Sequence, residues 1–129
     1  MLVDDEILNI DIGKEIIESF GLVVLEALSG EAALEIAFRF LRVGKTIDIV
    51  FMDYNMPGMC GDEVASLLLQ DDLAPVFKGC PMIGLTANTD EMTRDKMLKG
   101  GLTRVEHKPF DMDKFRGILT EFNLLTQNQ

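Results

Sequence analysis

Short apolar runs alternate with longer segments of helical periodicity along this chain, and this alternation most constrains its fold. The apolar runs lie at residues 1–3, 22–25, 47–52 and 82–85, and a fifth predicted strand, in which only Leu102 and Val105 are apolar, spans residues 102–106. The segments with helical patterning follow at residues 8–20, 29–42, 62–70, 90–99 and 111–122. Strands that alternate with helices form βαβ units, whose strands pair in parallel. The sequence therefore predicts an α/β domain built on one parallel sheet.

Polar side chains follow four of the five predicted strands, at or just past the point where each strand ends. They are Asp4 and Asp5, Asp53, Thr86 and Lys108. The carboxyl ends of parallel strands share one edge of the sheet, where ligands bind in folds of this class. We therefore expect three carboxylates, a hydroxyl and an ammonium group to converge at this edge.

The chemistry of this polar set restricts what it can bind. Three carboxylates repel one another strongly as bare anions, so their convergence predicts a divalent cation bound by oxygen ligands. Lys108 and Thr86 supply donors for an incoming anion, which carboxylates cannot do. The set fits the transfer of a phosphoryl group onto a carboxylate.

Size and charge exclude several classes of protein. A chain of 129 residues is one domain by length, and no apolar run is long enough to span a membrane. The formal net charge of −10 argues against direct binding to nucleic acid and to anionic membranes. We expect no secretory signal, because the first apolar residues run directly into Asp4. Cys60 and Cys80 lack metal-site spacing and fit free thiols in a reducing, cytoplasmic setting.

Four fragments of the chain, each after its predicted strand, form a recognisable set. They are Val3-Asp4-Asp5-Glu6, Met52-Asp53-Tyr54-Asn55-Met56-Pro57-Gly58, Leu85-Thr86-Ala87-Asn88 and Lys108-Pro109-Phe110. In this order the set is specific, and it resembles the receiver domains of two-component response regulators, including the chemotaxis regulators. The Leu-Thr-Ala-Asn form of the third fragment is similar to receivers from hybrid kinases and phosphorelays.

The resemblance implies a flavodoxin-like, doubly wound sheet of five parallel strands in the order 2-1-3-4-5, with helices on both faces. It implies a receiver domain over residues 1–125, followed by a polar tail at residues 126–129. By the same match, Asp53 is the phosphoryl acceptor, Thr86 binds the phosphoryl group and Lys108 pairs with it. The Lys108–Pro109 bond is expected to be cis, as in the family.

The resemblance also implies a magnesium site. Asp5 and Asp53 would coordinate Mg²⁺ directly, Asp4 would act mainly through water, and the backbone carbonyl of Asn55 would be a further ligand. The implied partners are a histidine kinase or a histidine phosphotransfer protein upstream and a protein target downstream. The implied role is that of a signalling phosphoacceptor and not of a turnover enzyme.

Three other functions compete with this one. A receiver that has lost phosphotransfer could bind partners constitutively, although Asp53, Thr86 and Lys108 argue against that. A phosphatase of the haloacid dehalogenase type would need a second carboxylate two residues after its nucleophile, and Asn55 stands there. A nucleotide-binding function is disfavoured because no glycine-rich phosphate loop follows a strand.

Two positions depart from the family's pattern. Val105 stands where receivers usually carry an aromatic residue, so the aromatic part of their switch is not expected here. The first strand is short, since only three apolar residues precede Asp4. Missing buried side chains in a central strand forfeit roughly 1.5–3 kcal/mol each, which predicts marginal stability, a first strand that has been trimmed or an exchanged strand.

Overall fold

The computed structural model describes residues 1–88 and 90–125, and it forms the alternating strands and helices that the sequence predicts. The strands are β1 (Leu2–Val3), β2 (Glu26–Ala27), β3 (Val50–Asp53), β4 (Met82–Thr86) and β5 (Arg104–His107). The helices are α1 (Ile7–Ser19), α2 (Gly30–Val43), α3 (Gly61–Leu68), α4 (Glu91–Lys99) and α5 (Met112–Glu121). A short 3₁₀ turn at Asp71–Leu73 lies between α3 and β4.

All five strands are parallel and lie in the order β2-β1-β3-β4-β5, which confirms the predicted sheet. Val3 pairs with Met52, so the residues that follow β1 lie next to the end of β3. Farther along the edge, Thr86 pairs with His107, which places Lys108 just past the end of β5. The register therefore brings the four predicted polar segments to one edge.

Successive strand residues point to opposite faces of the sheet, and each face is covered by helices. Leu2 and Phe51 pack with Phe115 on the side of α1 and α5. Their strand neighbours Val3 and Met52 belong to a second apolar cluster on the side of α2, α3 and α4. Burial of both faces is the usual environment of a parallel sheet and confirms the doubly wound arrangement. No helix within the described residues is long and apolar enough to cross a membrane.

Strand β2 corrects one prediction of the sequence analysis. We expected the strand at Leu22–Leu25, but the structure places it at Glu26–Ala27. The reason is the start of β1, because Leu2 pairs with Glu26 and donates its N–H to the carbonyl oxygen of Leu25 at 2.8 Å. Residues before Leu25 lie past the beginning of β1 and have no strand residue there to pair with. Local apolar patterning cannot report where a neighbouring strand starts.

A cavity lies where β1 would continue toward its amino end. It has a volume of about 400 Å³ and an apolar lining that includes Met1, Leu22 and Ile49. The Met1 ammonium group is buried and donates to the carbonyl oxygen of Ile49 at 2.6 Å. Burial lowers the pKa of this amino group to about 6, because the charged form loses its hydration.

Candidate functional site

Three carboxylates meet at the carboxyl edge of the two central strands. Asp4 and Asp5 follow β1, Asp53 ends β3, and one oxygen from each lies within 4.8 Å of the others. We call these three residues the acidic cluster. Asp4 and Asp53 are 5% and 3% exposed, whereas Asp5 is open to solvent. The cluster therefore has a buried wall and a solvent-facing side through which an ion could enter.

Lys108 supplies the positive charge closest to the acidic cluster. Its Nζ lies 2.6 Å from Asp53 Oδ1 and 3.7 Å from Asp4 Oδ2. The backbone helps to place it, since the Lys108 N–H donates to the carbonyl oxygen of Thr86 at 2.9 Å. The peptide bond from Lys108 to Pro109 is cis, as the resemblance implied. One ammonium group thus faces two buried carboxylates.

Burial governs the electrostatics of the cluster. Loss of hydration, together with the negative charges of Asp4 and Asp5, raises the pKa of Asp53 to about 6 against the opposing pull of Lys108. Burial by itself would lower the pKa of Lys108, but the hydrogen bond and charge of Asp53 raise it above its ordinary value. The cluster therefore holds more negative charge than its lysine balances, and a hard divalent cation fits this set of oxygen donors.

Asp4 is fixed by donors on both of its oxygens. Oδ1 accepts the backbone N–H of Glu6 at 2.9 Å, and Oδ2 accepts the side-chain amide of Asn9 at 3.2 Å. The sequence analysis did not identify Asn9. Its only signal in the sequence is an amide side chain in the first turn of the helix that follows the acidic pair.

Thr86 ends β4 as a fully buried residue, and its hydroxyl is engaged with its own loop. Oγ1 accepts the backbone N–H of Asn88 and donates to the Asn88 carbonyl oxygen, both at 3.0 Å. Asn55 lies two residues beyond Asp53 in an exposed loop. The structure brings Asp4, Asp5, Asp53 and Lys108 together. The roles of all the predicted site residues, including Thr86 and Asn55, stay predictions.

A glycine lets the following helix begin directly behind Asp53. A Cβ atom at Gly61 would lie 2.6 Å from the Asp53 carbonyl oxygen and 3.0 Å from the Tyr54 Cα. The Gly61 N–H instead donates to the Tyr54 carbonyl oxygen at 2.8 Å. This close approach of backbone to backbone fixes the loop that leaves the cluster, since any side chain would push the two segments apart.

Comparison with known sequences places the chain among signalling proteins. Residues 1–120 match the family model described as the response regulator receiver domain. The virulence sensor protein BvgS of Bordetella pertussis is 30% identical over 123 residues, which cover 94% of this chain and 10% of BvgS. The polar-differentiation response regulator DivK of Brucella anthropi is 27% identical over 115 residues, covering 89% of this chain and 87% of DivK. The chain spans about a tenth of BvgS and most of DivK.

Solved structures share the fold over nearly the whole chain. The chemotaxis response regulator CheY4 of Vibrio cholerae aligns with a TM-score of 0.80 at 25% identity, covering 94% of each chain. The receiver domain of the sensor histidine kinase PA1611 of Pseudomonas aeruginosa aligns with a TM-score of 0.76 at 26% identity, covering 94% of this chain and 93% of that domain. The PA1611 structure is described as having a magnesium ion coordinated in its active-site cleft.

Proposed function

Because the chain belongs to the response regulator receiver domains of two-component systems, we propose that it accepts a phosphoryl group on Asp53 in the presence of Mg²⁺ and signals by changing conformation. One observation carries the proposal. Asp53 is buried at the end of a central strand, within 4.8 Å of two further carboxylates and 2.6 Å from a lysine ammonium group. A lone structural aspartate would not need this surrounding charge.

The acidic cluster would hold the metal ion. Asp5 and Asp53 would bind it directly with the backbone carbonyl of Asn55, and Asp4 would act mainly through water. Magnesium takes six oxygens and keeps several waters, which suits a site with few protein ligands and one open side. Bound there, it would neutralise the charge that builds up on a transferring phosphoryl group. The magnesium in the PA1611 receiver supports the choice of ion.

The transfer itself requires little covalent work from the protein. An Asp53 oxygen would form a bond to phosphorus while the bond between phosphorus and the imidazole nitrogen of a donor phosphohistidine breaks. The imidazole leaves with the electron pair and takes up a proton. Lys108, whose Nζ lies 2.6 Å from Asp53 Oδ1 before the transfer, would then pair with a phosphoryl oxygen. Positioning and charge neutralisation carry the rate of such transfers.

Thr86 would connect the new phosphoryl group to the rest of the molecule. Its hydroxyl would exchange the Asn88 backbone for a phosphoryl oxygen, which pulls on the loop that leads to α4. The surface formed by α4, β5 and α5 would then change its affinity for a downstream protein. A preference of a few kcal/mol for one state is enough to shift such an equilibrium.

The partners follow from the same chemistry. The phosphoryl donor would be a histidine kinase or a histidine phosphotransfer protein in the cytoplasm, and the output would be a protein contact. The names of BvgS, a sensor protein, and DivK, a response regulator, support this assignment. The net charge of −10 disfavours DNA as a direct target.

Intact-mass spectrometry after incubation with acetyl phosphate tests the proposal. We expect the mass of one phosphoryl group to be added when magnesium is present, and no addition when EDTA replaces the metal. The Asp53→Asn variant should gain nothing under either condition, because its amide is not a nucleophile of comparable strength. Glu63→Gln, which changes one exposed acidic residue outside the acidic cluster, is the matched control and should be labelled like the unmodified protein.

A folded protein that gains no phosphate under these conditions would contradict the proposal. Equal labelling of the Asp53→Asn variant would also contradict it, since the acceptor would then lie elsewhere. Circular dichroism on the same samples distinguishes loss of the acceptor from loss of the fold.

A further inference from the structure

Asn9, which is not a member of the acidic cluster, holds one of its two buried carboxylates, that of Asp4. Its side-chain amide donates to Asp4 Oδ2 at 3.2 Å, opposite the Glu6 N–H that donates to Asp4 Oδ1. We propose that Asn9 is a positioning residue. Its amide holds the Asp4 carboxylate in the orientation that the bound cation needs, and it thereby keeps the Lys108 ammonium group paired with Asp53. This inference rests on the proposed function, because it concerns the magnesium site of that function.

The packing of α1 explains how a helical residue reaches Asp4. A Cβ atom at Gly13 would lie 2.7 Å from Leu2 Cδ2, so α1 crosses β1 closely at the turn after Asn9. Asn9 and Gly13 are four residues apart and share one face of the helix. Both line a cleft of about 160 Å³ that also contains Asp4 and Lys108. Asn9 therefore faces the cluster and not the solvent side of α1.

The neutrality of the Asn9 amide matters for a cation site. Asp4 is 5% exposed, and a buried carboxylate needs donors on its oxygens. A lysine or arginine in this place would satisfy Oδ2 but would compete with a divalent cation for the cluster. The amide satisfies Oδ2 and adds no charge.

The hydrogen bond from Asn9 to Asp4 also determines whether Lys108 pairs with Asp4 or with Asp53. Asp4 Oδ2 is the atom that both Asn9 and Lys108 approach, at 3.2 Å and 3.7 Å, while Asp53 Oδ1 lies 2.6 Å from Lys108. Without the amide, Asp4 Oδ2 would lack its closest donor and would attract Lys108. Asp4 would turn from its present orientation, and the ammonium group would be drawn away from Asp53.

Two substitutions test the role of the amide. Asn9→Leu keeps the size of the side chain and removes its donor, whereas Asn9→Gln keeps a donor. Isothermal titration calorimetry with magnesium chloride should show an affinity about 10-fold weaker for Asn9→Leu, at the low end of the range for outer-shell partners of a metal site. Asn9→Gln should recover most of that loss. Thermal melting in EDTA should show that both variants stay folded, since leucine is a good helix former.

The magnesium dependence of phosphorylation gives a second measurement. For Asn9→Leu, the magnesium concentration that gives half-maximal labelling by acetyl phosphate should rise about 10-fold, while the rate at saturating magnesium stays near that of the unmodified protein. A purely structural role would not separate these two quantities.

The outcomes distinguish this inference from the proposed function. Equal magnesium affinity of Asn9→Leu and the unmodified protein would overturn the inference and leave the proposed function standing. An equal loss in Asn9→Leu and Asn9→Gln would also overturn it, because the donor would not be the cause. If the unmodified protein bound no magnesium and gained no phosphate, the proposed function would fail and this inference would fail with it.

Discussion

Asp53 lies between the opposing charges at the carboxyl edge of the sheet. Its carboxyl group is 3% exposed and has one cation beside it, Lys108, but two further carboxylates within 4.8 Å. Burial raises its pKa to about 6 despite that lysine. Ionisation of Asp53 without a metal therefore opposes folding, and a phosphoryl acceptor needs this same ionised group. The fold thus accepts a local cost in stability at the residue that we propose as the phosphoryl acceptor.

This cost predicts a pH dependence of stability in the metal-free protein. The folded carboxyl group keeps its proton up to about pH 6, while its unfolded reference is 3.8. Between these values the native state binds more protons than the unfolded state, so the free energy of unfolding falls as pH rises. We expect Asp53 to contribute a fall of about 1–3 kcal/mol across this window. Asp53→Asn cannot titrate and should lack that contribution.

Urea unfolding in EDTA at several pH values between 4 and 7 measures this effect. Other carboxyl groups titrate in both proteins, so the quantity of interest is the stability of Asp53→Asn minus that of the unmodified protein. The difference should grow in favour of the variant as pH rises. A constant difference across the window would show that the Asp53 carboxyl group is not perturbed.

The sequence predicted which side chains lie at this edge better than it predicted their hydrogen bonds. Asp4, Asp5, Asp53 and Lys108 come together because strand ends and sheet order place them, and both follow from patterning and resemblance. The bond from Asn9 to Asp4 depends on how closely α1 packs on β1, which no local pattern reports. The hydrogen bonds of the Thr86 hydroxyl depend on the shape of the loop that follows β4, which no local pattern reports either.

Among the secondary-structure elements, helices were easier to locate than strands. Ser29, Asp90 and Asp111 each accept a backbone N–H at the start of the following helix, so the signal lies within a few residues. Strand β2 was misplaced because its ladder depends on where β1 begins. A helix satisfies its backbone internally, whereas a strand exists only beside a neighbour.

The approach of α3 to α4 gives a test of element packing. A Cβ atom at Gly100, the residue that caps α4, would lie 2.7 Å from both the Cβ and the carbonyl oxygen of Asp62 in α3. Gly100→Ala should therefore destabilise the protein by about 1–3 kcal/mol through overpacking. Gly117 in α5 meets no atom within 4 Å, so Gly117→Ala should stabilise it by about 0.5–1 kcal/mol. Chemical denaturation measures both, and equal effects would contradict the packing argument.

The short strand β1 gives a second test at this scale. The cavity of about 400 Å³ beside Met1 lies between the residues that precede β2 and those that precede β3, beyond the amino end of β1. Adding leucine, valine and isoleucine before Met1 should fill it, replace the buried ammonium group by an amide, and raise the free energy of unfolding by roughly 2 kcal/mol or more. Three serines added at the same place are the matched control. Equal stability of the two extended proteins would mean that the cavity does not receive the added strand.

The molecule as a whole carries a net charge of −10, so any magnesium salt should stabilise it somewhat by screening repulsion. Binding to the acidic cluster should add a separate, saturable gain, which reaches about 2.7 kcal/mol at a hundred times the dissociation constant. Comparing magnesium chloride with sodium chloride at equal ionic strength separates the two effects. The specific gain should appear as a rise of several degrees in Tm.

Two variants with the same change in charge locate this gain. Asp5→Asn removes the solvent-facing carboxylate of the acidic cluster and should lose most of the magnesium-specific rise in Tm. Glu15→Gln removes one charge from an exposed position of α1 and should keep the magnesium-specific rise in Tm. Screening depends on the total charge of the protein, whereas coordination depends on where the carboxylates lie. If both variants lost the rise equally, magnesium would be acting on the overall charge of the protein, and the acidic cluster would not be its binding site. If only Asp5→Asn lost it, the stability of the whole fold would be coupled to one ion at the edge of the sheet.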